Sequence, residues 1–85
     1  MEEVIEKPKK AIVWSKDNCQ FCEAVKIVVR QQGYEVEERR IGHGWTVQQL
    51  HEVVPTAKTV PQVFLDDEYI GNYDSVTRHF GLKLV

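Results

Sequence analysis

The residues of this sequence best suited to chemistry are its two cysteines, Cys19 and Cys22. With two residues between them, their sulfurs can meet across one helical turn. A cysteine thiolate attacks a disulfide in another molecule, and a second thiol nearby then displaces that molecule from the mixed disulfide. A purely structural bridge is disfavoured, because closing so short a loop gains little chain entropy. The pair therefore indicates redox chemistry.

A zinc site and a pair of inert thiols are the alternatives. Zinc would need two further ligands, and the sequence contains no second cysteine pair. The spacing from His43 to His51 exceeds the gap of roughly three to five residues that is usual between zinc-finger histidines. These two histidines and His79 are expected on the surface. Redox chemistry remains the favoured interpretation, with no metal ligands assigned.

The cysteine pair lies where a predicted strand meets a predicted helix. The apolar run at residues 11–14 predicts a buried strand, in which Trp14 is expected to be a core residue. Asp17 and Asn18 are typical of a helix start. The helix is expected to bury one face and to end before Gly33, and the residues of that face are Phe21, Ala24, Val25 and Val28.

This position predicts an activated thiol. At a helix N-terminus, free N–H groups and the positive end of the helix dipole favour a thiolate. Such surroundings lower a thiol pKa from about 8.5 to roughly 3.5–7.5. Lys16, three residues before Cys19, adds a positive charge. Cys19 is therefore predicted to attack, and Cys22, one turn further on, to resolve the mixed disulfide.

The remaining elements complete an α/β pattern. Alternation over residues 34–41 predicts a second strand, with Tyr34 and Val36 on one face. Residues 42–44 form a predicted loop. Thr46 and Gln49 form a capping box before a short helix with apolar Val47, Leu50, Val53 and Val54, which Pro55 ends.

A hairpin and a last helix follow. Strands at residues 62–65 and 68–70 are predicted to join across Asp66 and Asp67. Asp74 or Ser75 is expected to cap a helix that runs to about residue 80, before Gly81. The order β-α-β-α-β-β-α predicts a mixed four-stranded sheet with helices on both faces.

Length and charge limit the remaining choices. The chain has 85 residues, enough for one domain, and a net charge of -2 from 11 basic and 13 acidic side chains. A nucleic-acid binder would carry a clustered basic surplus, and no apolar run is long enough for a membrane span. Residues 1–10 are predicted to be a charged, flexible leader and residues 11–85 a single domain. We expect a cytoplasmic monomer.

Three segments resemble the glutaredoxin family within the thioredoxin-like fold, and the similarity extends over about residues 11–80. These segments are WSKDNCQFC at residues 14–22, TVPQVF at residues 59–64 and IGNYDS at residues 70–75. They are similar to the family's Lys-x-x-Cys dithiol motif, its Thr-Val-Pro segment and its Gly-Gly turn. The resemblance implies a thioredoxin-like fold and a glutathione-dependent thiol–disulfide oxidoreductase that acts on protein disulfides and glutathione mixed disulfides. Ribonucleotide reductase is one protein client that it implies.

The resemblance also implies roles at the site. Cys19 would accept glutathione and Cys22 would be the resolving thiol. Lys16 would pair with the glycyl carboxylate of glutathione, helped by Gln48. Asp74 and Ser75 would hold the γ-glutamyl end.

The Thr-Val-Pro segment would hold the middle of glutathione. Thr59 belongs to this segment, Val60 would offer backbone hydrogen bonds to the cysteinyl part, and Pro61 would be a cis-proline. Phe21 stands where the family often has Tyr, either flanking a bound peptide or glutathione, or packing in the core.

Some residues depart from the family pattern. Cys-Gln-Phe-Cys replaces the common Cys-Pro-Tyr-Cys, which removes a rigid proline from the helix start. Asn72 replaces the second glycine of the turn, and Ser75 stands where Asp is common. Two alternatives therefore remain open: an electron donor recharged by thioredoxin reductase, and a dimer that binds an iron–sulfur cluster with glutathione.

Overall fold

The structure is a computed structural model that describes residues 9–82. Most of the predicted leader, residues 1–8, lies outside the described residues, whereas Lys10 already belongs to the first strand. The predicted element order is confirmed within residues 9–82. The elements are β1 (Lys10–Ser15), α1 (Gln20–Gln31), β2 (Glu35–Arg40), α2 (Val47–Val53), β3 (Gln62–Leu65), β4 (Glu68–Gly71) and α3 (Tyr73–His79).

The sheet has four strands in the order β2-β1-β3-β4. β1 pairs with β2 in parallel and with β3 antiparallel, and β3 pairs antiparallel with β4. Because Trp14 near the end of β1 pairs with Gln62 at the start of β3, the segments after β1 and before β3 meet at one edge of the sheet. The cysteine pair follows the first segment and Pro61 ends the second.

Alternation along β1 divides the core between the two faces of the sheet. Val13 packs with Val25, Val29, Val63 and Val76, from α1, β3 and α3. Trp14 packs on the other face with a cluster that includes Leu50, Val54 and Ala57, from α2 and the segment after it. Helices therefore cover both faces, as predicted, and Trp14 is a core residue.

The predicted buried face of α1 is wrong by about one residue. The buried residues are Cys22, Val25, Lys26 and Val29. Ala24 and Val28 are only half-buried, and Phe21 is 60% exposed. The face is rotated because Cys22 and Lys26 enter the interior, and neither was counted as apolar in the pattern.

The turns and caps mostly follow the sequence prediction. Thr46 and Gln49 make both hydrogen bonds of the capping box. Asp66 and Asp67 both have positive φ, which suits the two-residue hairpin between β3 and β4. In α2, Leu50 and Val54 are buried, whereas Val47 and Val53 are about half exposed.

The cap of α3 differs from the prediction. Asn72, rather than Asp74 or Ser75, is the N-cap, and its side chain accepts a hydrogen bond from the Ser75 N–H at 2.9 Å. Asn72, which replaces the second glycine of the family's turn, has a φ of -87° and so lies outside the left-handed region that favours glycine. The extended backbone at Asn72 lets its side chain serve as a cap. None of the helices within residues 9–82 has the length and apolar character needed to cross a membrane.

Candidate active site

Cys19 and Cys22 form a disulfide at the N-terminus of α1. Cys19 is itself the N-cap residue, and its sulfur accepts a hydrogen bond from the Cys22 N–H at 3.1 Å. Asp17 and Asn18, predicted to start the helix, instead form a turn in which Asn18 has a φ of 56°. The Cys19 sulfur therefore occupies the place where a capping oxygen usually sits, facing the free N–H groups of the first turn.

The two cysteines differ in their access to solvent. Cys19 is half-buried, whereas Cys22 is fully buried. A disulfide or thiol in another molecule can therefore reach Cys19 directly and cannot reach Cys22 without a change in structure. This asymmetry fits one attacking and one resolving thiol.

The segment before β3 lies beside the disulfide. The Val60–Pro61 peptide bond is cis, as the resemblance implies, and the Val60 carbonyl oxygen is 3.9 Å from the Cys19 sulfur. Gln62, which was not singled out from the sequence, stabilises this segment by two hydrogen bonds. Its amide donates to the Thr59 carbonyl at 2.8 Å and accepts from the Tyr69 hydroxyl at 2.7 Å.

A pocket of about 320 Å³ lies on one side of this segment. Phe21 and Tyr73 stand at this pocket with their ring centroids 5.4 Å apart. Tyr73 was not singled out from the sequence, because an aromatic in the first turn of a short helix is usually a packing residue. The pocket gathers five predicted site residues, and its full lining is Phe21, Thr59, Val60, Pro61, Asn72, Tyr73 and Asp74.

A second pocket of about 490 Å³ lies against α2 and meets the first at Thr59 and Val60. Lys16 lies at this pocket together with apolar Leu50 and half-exposed Val47. Gln48 is exposed on α2 but does not contribute to the pocket lining given by the described residues. The structure thus places Lys16 beside the cysteine site and Gln48 at its margin.

The turn before α3 holds Asp74 and Ser75 in different settings. The Asp74 carboxylate is exposed at the first pocket and pairs with Arg78 at 2.8 Å. Both the N–H and the hydroxyl of Ser75 donate to the Asn72 side chain. Gly71 permits this arrangement, because a Cβ there would come within 2.7 Å of the Ser75 hydroxyl. Asp74 is therefore available to a ligand, whereas the Ser75 hydroxyl serves the cap.

A charged surface lies on the α1 side of Cys19. Asp17 contacts the His43 ring at 2.9 Å and Arg40 at 3.5 Å. The hydrogen bond with His43 and the charges of His43 and Arg40 hold the pKa of Asp17 below its usual value. These groups line or border a third pocket, of about 640 Å³, that includes Lys16 and Cys19.

A partly buried ionic cluster lies behind this surface, with Ser15 and Lys26 buried and Glu38 and Arg40 partly exposed. One carboxylate oxygen of Glu38 accepts from Ser15 at 2.6 Å, from Lys26 at 3.0 Å and from Arg40 at 3.2 Å. Burial raises the pKa of Glu38, but these three hydrogen bonds and the Lys26 charge outweigh burial and lower it to about 2. Sequence periodicity did not reveal the cluster, because its members come from β1, α1 and β2.

No group of three or more His, Cys, Asp or Glu side chains within residues 9–82 is arranged to hold a metal ion. The His51 ring contacts the Ala57 carbonyl at 2.9 Å, and His43 is engaged with Asp17. These two histidines therefore have structural partners.

Two curated relatives match most of this chain, and one of them is named a glutaredoxin. Glutaredoxin-C4 of Arabidopsis thaliana is 34% identical over 68 residues, which cover 76% of this chain and 50% of that protein. Hybrid peroxiredoxin hyPrx5 of Haemophilus influenzae is 32% identical over 68 residues, which cover 80% of this chain and 28% of that protein. The chain thus spans half or less of these two relatives.

Solved structures share the fold. The buckwheat glutaredoxin–glutathione complex superimposes with a TM-score of 0.70 at 28% identity, covering 85% of this chain and 68% of that one. Glutaredoxin 1 from Francisella tularensis, complexed with cacodylate, gives a TM-score of 0.71 at 20% identity, covering 85% and 92%. This second likeness is one of fold alone.

The glutaredoxin family model matches residues 11–70, which include both cysteines, the cis-proline segment, strands β2 and β3 in full and all but one residue each of β1 and β4. This match covers well over half of the 85 residues. The chain therefore belongs to the glutaredoxin family, with the sequence Cys-Gln-Phe-Cys at positions 19–22.

Proposed function

We propose that this protein is a thiol–disulfide oxidoreductase that uses glutathione to reduce protein disulfides and glutathione mixed disulfides. One observation carries the proposal: the half-buried Cys19 sulfur caps α1 while the buried Cys22 lies one turn behind it. The N-cap position favours the Cys19 thiolate, which is the form that attacks disulfides. The family membership supports the same chemistry.

The exchange cycle uses both sulfurs when the substrate is a protein disulfide. The Cys19 thiolate attacks one substrate sulfur, the substrate disulfide breaks, and the released thiolate takes up a proton. The Cys22 thiol then gives up its proton and attacks Cys19, which frees the second substrate thiol and forms the Cys19–Cys22 disulfide. Two glutathione molecules reduce this disulfide and leave as glutathione disulfide.

A glutathione mixed disulfide needs Cys19 alone. The thiolate attacks the glutathionyl sulfur, and the substrate leaves as a thiolate that takes up a proton. A second glutathione thiolate then attacks the glutathionyl group on Cys19, which gives glutathione disulfide and restores the Cys19 thiolate. Cys22 is not required in this branch.

The two pockets that meet at Thr59 and Val60 suit an extended tripeptide bound across the disulfide. In this proposal the Lys16 ammonium binds the glycyl carboxylate, with Gln48 at the margin, and the Val60 backbone binds the cysteinyl part. Asp74 takes the γ-glutamyl ammonium, and Ser75 acts through the cap of α3. The buckwheat glutaredoxin that shares this fold was solved as a glutathione complex, which supports glutathione as the ligand.

Phe21 and Tyr73 are proposed to flank the bound sulfur. Phe21 is 60% exposed and contacts Tyr73, so the two rings offer an apolar surface next to the cysteine pair. An exposed aromatic that contacts another aromatic beside a pocket suits the flanking role better than the core role. The proposed clients are cytoplasmic proteins that contain disulfides, and ribonucleotide reductase is one of them.

A coupled turnover assay with a glutathionylated peptide tests this function. Turnover is expected with glutathione, glutathione reductase and NADPH, and it is expected to be absent when thioredoxin reductase replaces the glutathione system. Turnover with thioredoxin reductase alone would overturn glutathione dependence and support the alternative electron donor. A purified protein that is brown and dimeric, absorbs visible light and lacks turnover would instead support an iron–sulfur carrier.

A further inference from the structure

Lys26 is a charged residue in the interior of the domain. It is 5% exposed, and it follows the fully buried Cys22 by four residues on α1. Residues four apart lie on the same face of a helix, with Cβ atoms about 5–6 Å from each other. A lysine is almost never buried unless it is paired, so this position calls for an explanation.

The ion pairs of Lys26 show where its ammonium lies. The Nζ atom is 2.8 Å from a Glu23 carboxylate oxygen and 3.0 Å from Glu38. Glu23 directly follows Cys22 in the first turn of α1. The Lys26 side chain therefore reaches back along the helix, as long side chains in helices do. Its positive charge lies at the level of the turn that carries the cysteines.

The proposed exchange cycle leaves one proton transfer without assistance. The helix N-terminus favours the thiolate of Cys19, whose sulfur caps the first turn. The Cys22 sulfur does not cap the helix, and it is fully buried, which by itself raises the pKa of a thiol. Cys22 must nevertheless lose its proton before it attacks Cys19 and forms the intramolecular disulfide.

We propose that the Lys26 ammonium, held in place by the positioning residue Glu38, stabilises the thiolate of Cys22 and so assists the resolving step. In that step the Cys22 thiolate forms the bond to the Cys19 sulfur, and the bond between Cys19 and the substrate sulfur breaks. The substrate leaves as a thiolate and takes up a proton, so one disulfide replaces another with no net change in oxidation. The role of Lys26 rests on the proposed thiol–disulfide exchange function.

Other charged side chains lie on the elements around Cys22, and the test must separate their effects on the Cys22 pKa from the effect of Lys26. On α1 and β2 these are Glu23, Lys26, Glu38 and Arg40. The segment before α1 adds Lys16 and Asp17, and α3 adds Asp74. Of these, Lys26 alone combines burial with a place on the same helix face as Cys22. Glu38 is the carboxylate that ties Lys26 to β1 and β2, through Ser15 and Arg40.

The test measures the pKa of Cys22 with Cys19→Ser as the background, so that Cys22 is the sole thiol. Thiolate absorbance near 240 nm is followed against pH, with circular dichroism at each pH to confirm the fold. Lys26→Met removes the positive charge and is expected to raise the pKa of Cys22 by roughly one pH unit. Glu38→Gln removes a negative charge and is expected to lower it by a similar amount.

The opposite signs distinguish an electrostatic role from a structural one. A merely loosened fold would move the pKa of Cys22 in the same direction in both variants. That result, or no movement in either variant, would overturn the proposal. Lys26→Arg retains the charge and is expected to keep the pKa within about half a unit of its value in the background protein. If Lys26→Met fails to fold, Glu38→Gln must still lower the pKa.

Lys10 and Glu37 provide a matched control pair. They pair across the same two strands at 3.1 Å, but Lys10 is exposed and lies at the start of β1. A six-residue strand is about 20 Å long, so Lys10 is remote from the cysteines, and Glu37 points to the opposite face of the sheet from its neighbour Glu38. Lys10→Met and Glu37→Gln should leave the pKa of Cys22 unchanged. No glutathione enters the measurement, so a negative result would count against the role of Lys26 without counting against the proposed glutathione-dependent function.

Discussion

The sulfur of Cys19 accepts a hydrogen bond from the backbone N–H of Cys22 at 3.1 Å. The predicted nucleophile is thus the N-cap of its own helix, a position in which a serine hydroxyl works well. Cys19→Ser is therefore expected to remove the nucleophile while it preserves the cap. This makes it a cleaner control than Cys19→Ala, which would also remove the side-chain acceptor that caps the helix.

Phe21→Ala tests the aromatic surface beside the disulfide. The ring is 60% exposed, so its loss should change the free energy of unfolding by less than about 1 kcal/mol. Because the ring is proposed to flank the bound sulfur, kcat/KM for a glutathionylated peptide should fall about fivefold. Ile27→Ala is the matched control, since Ile27 is an apolar residue on the same helix that is 55% exposed. An equal loss of activity in both variants would remove Phe21 from the site.

Lys16→Ala tests the proposed contact with the glycyl carboxylate. Loss of one exposed charge-assisted contact should raise the KM for glutathione by about 2–10-fold, with a smaller change in kcat. Arg30→Ala, in the last turn of α1, removes one positive charge far from the cysteines and should leave KM unchanged. Steady-state kinetics at varied glutathione concentration give both values. An unchanged KM in the Lys16 variant would contradict its assignment.

Asn72→Ala tests the observed cap of α3. Loss of the side-chain acceptor should cost about 1 kcal/mol in the free energy of unfolding, measured by urea denaturation. Asp74→Ala breaks only an exposed pair with Arg78 and should cost less than about 0.5 kcal/mol. The larger of the two losses in unfolding free energy shows which residue caps α3. A larger loss in Asp74→Ala than in Asn72→Ala would favour Asp74, a cap predicted from the sequence.

How much of the fold was predictable depends on whether the signal was local. The capping box of α2 and the Asp66–Asp67 turn involve neighbours in sequence, and the structure confirms both. The buried face of α1 was misplaced because Lys26 is paired with Glu38, a residue twelve positions away on another element. The position of a lysine in the sequence does not show whether a partner exists for its charge in the folded protein.

In the candidate site, too, residues with a local sequence signal were predicted and those without one were missed. Cys19, Cys22 and Pro61 belong to recognisable motifs, and the structure brings them together. Gln62 and Tyr73 were missed because a strand glutamine and a helix tyrosine have no chemistry that spacing reveals. The cap at Asn72 was missed because Asp74 and Ser75 are equally good capping residues two and three positions later.

Acid sensitivity should follow from Glu38. Its hydrogen bonds lower the folded-state pKa from 4.5 to about 2, so its stabilising contribution is present above pH 4.5 and is lost as the pH falls toward 2. This contribution is at most about 3 kcal/mol. Denaturation midpoints between pH 7 and pH 2 should fall less steeply for Glu38→Gln than for the wild type. The exposed Glu35→Gln on the same strand is the control, and equal slopes in the wild type and Glu38→Gln would contradict the prediction.

The mass of Cys22→Ser after incubation with glutathione disulfide tests most directly which cysteine attacks. One glutathionyl group should be added, and peptide mapping should locate it on Cys19, the half-buried residue at the helix N-terminus. Cys19→Ser, which keeps the cap and leaves Cys22 buried, should gain none under the same conditions. An adduct that forms on Cys22 at a comparable rate, or no adduct on Cys19, would contradict the assignment of Cys19 as the attacking thiol.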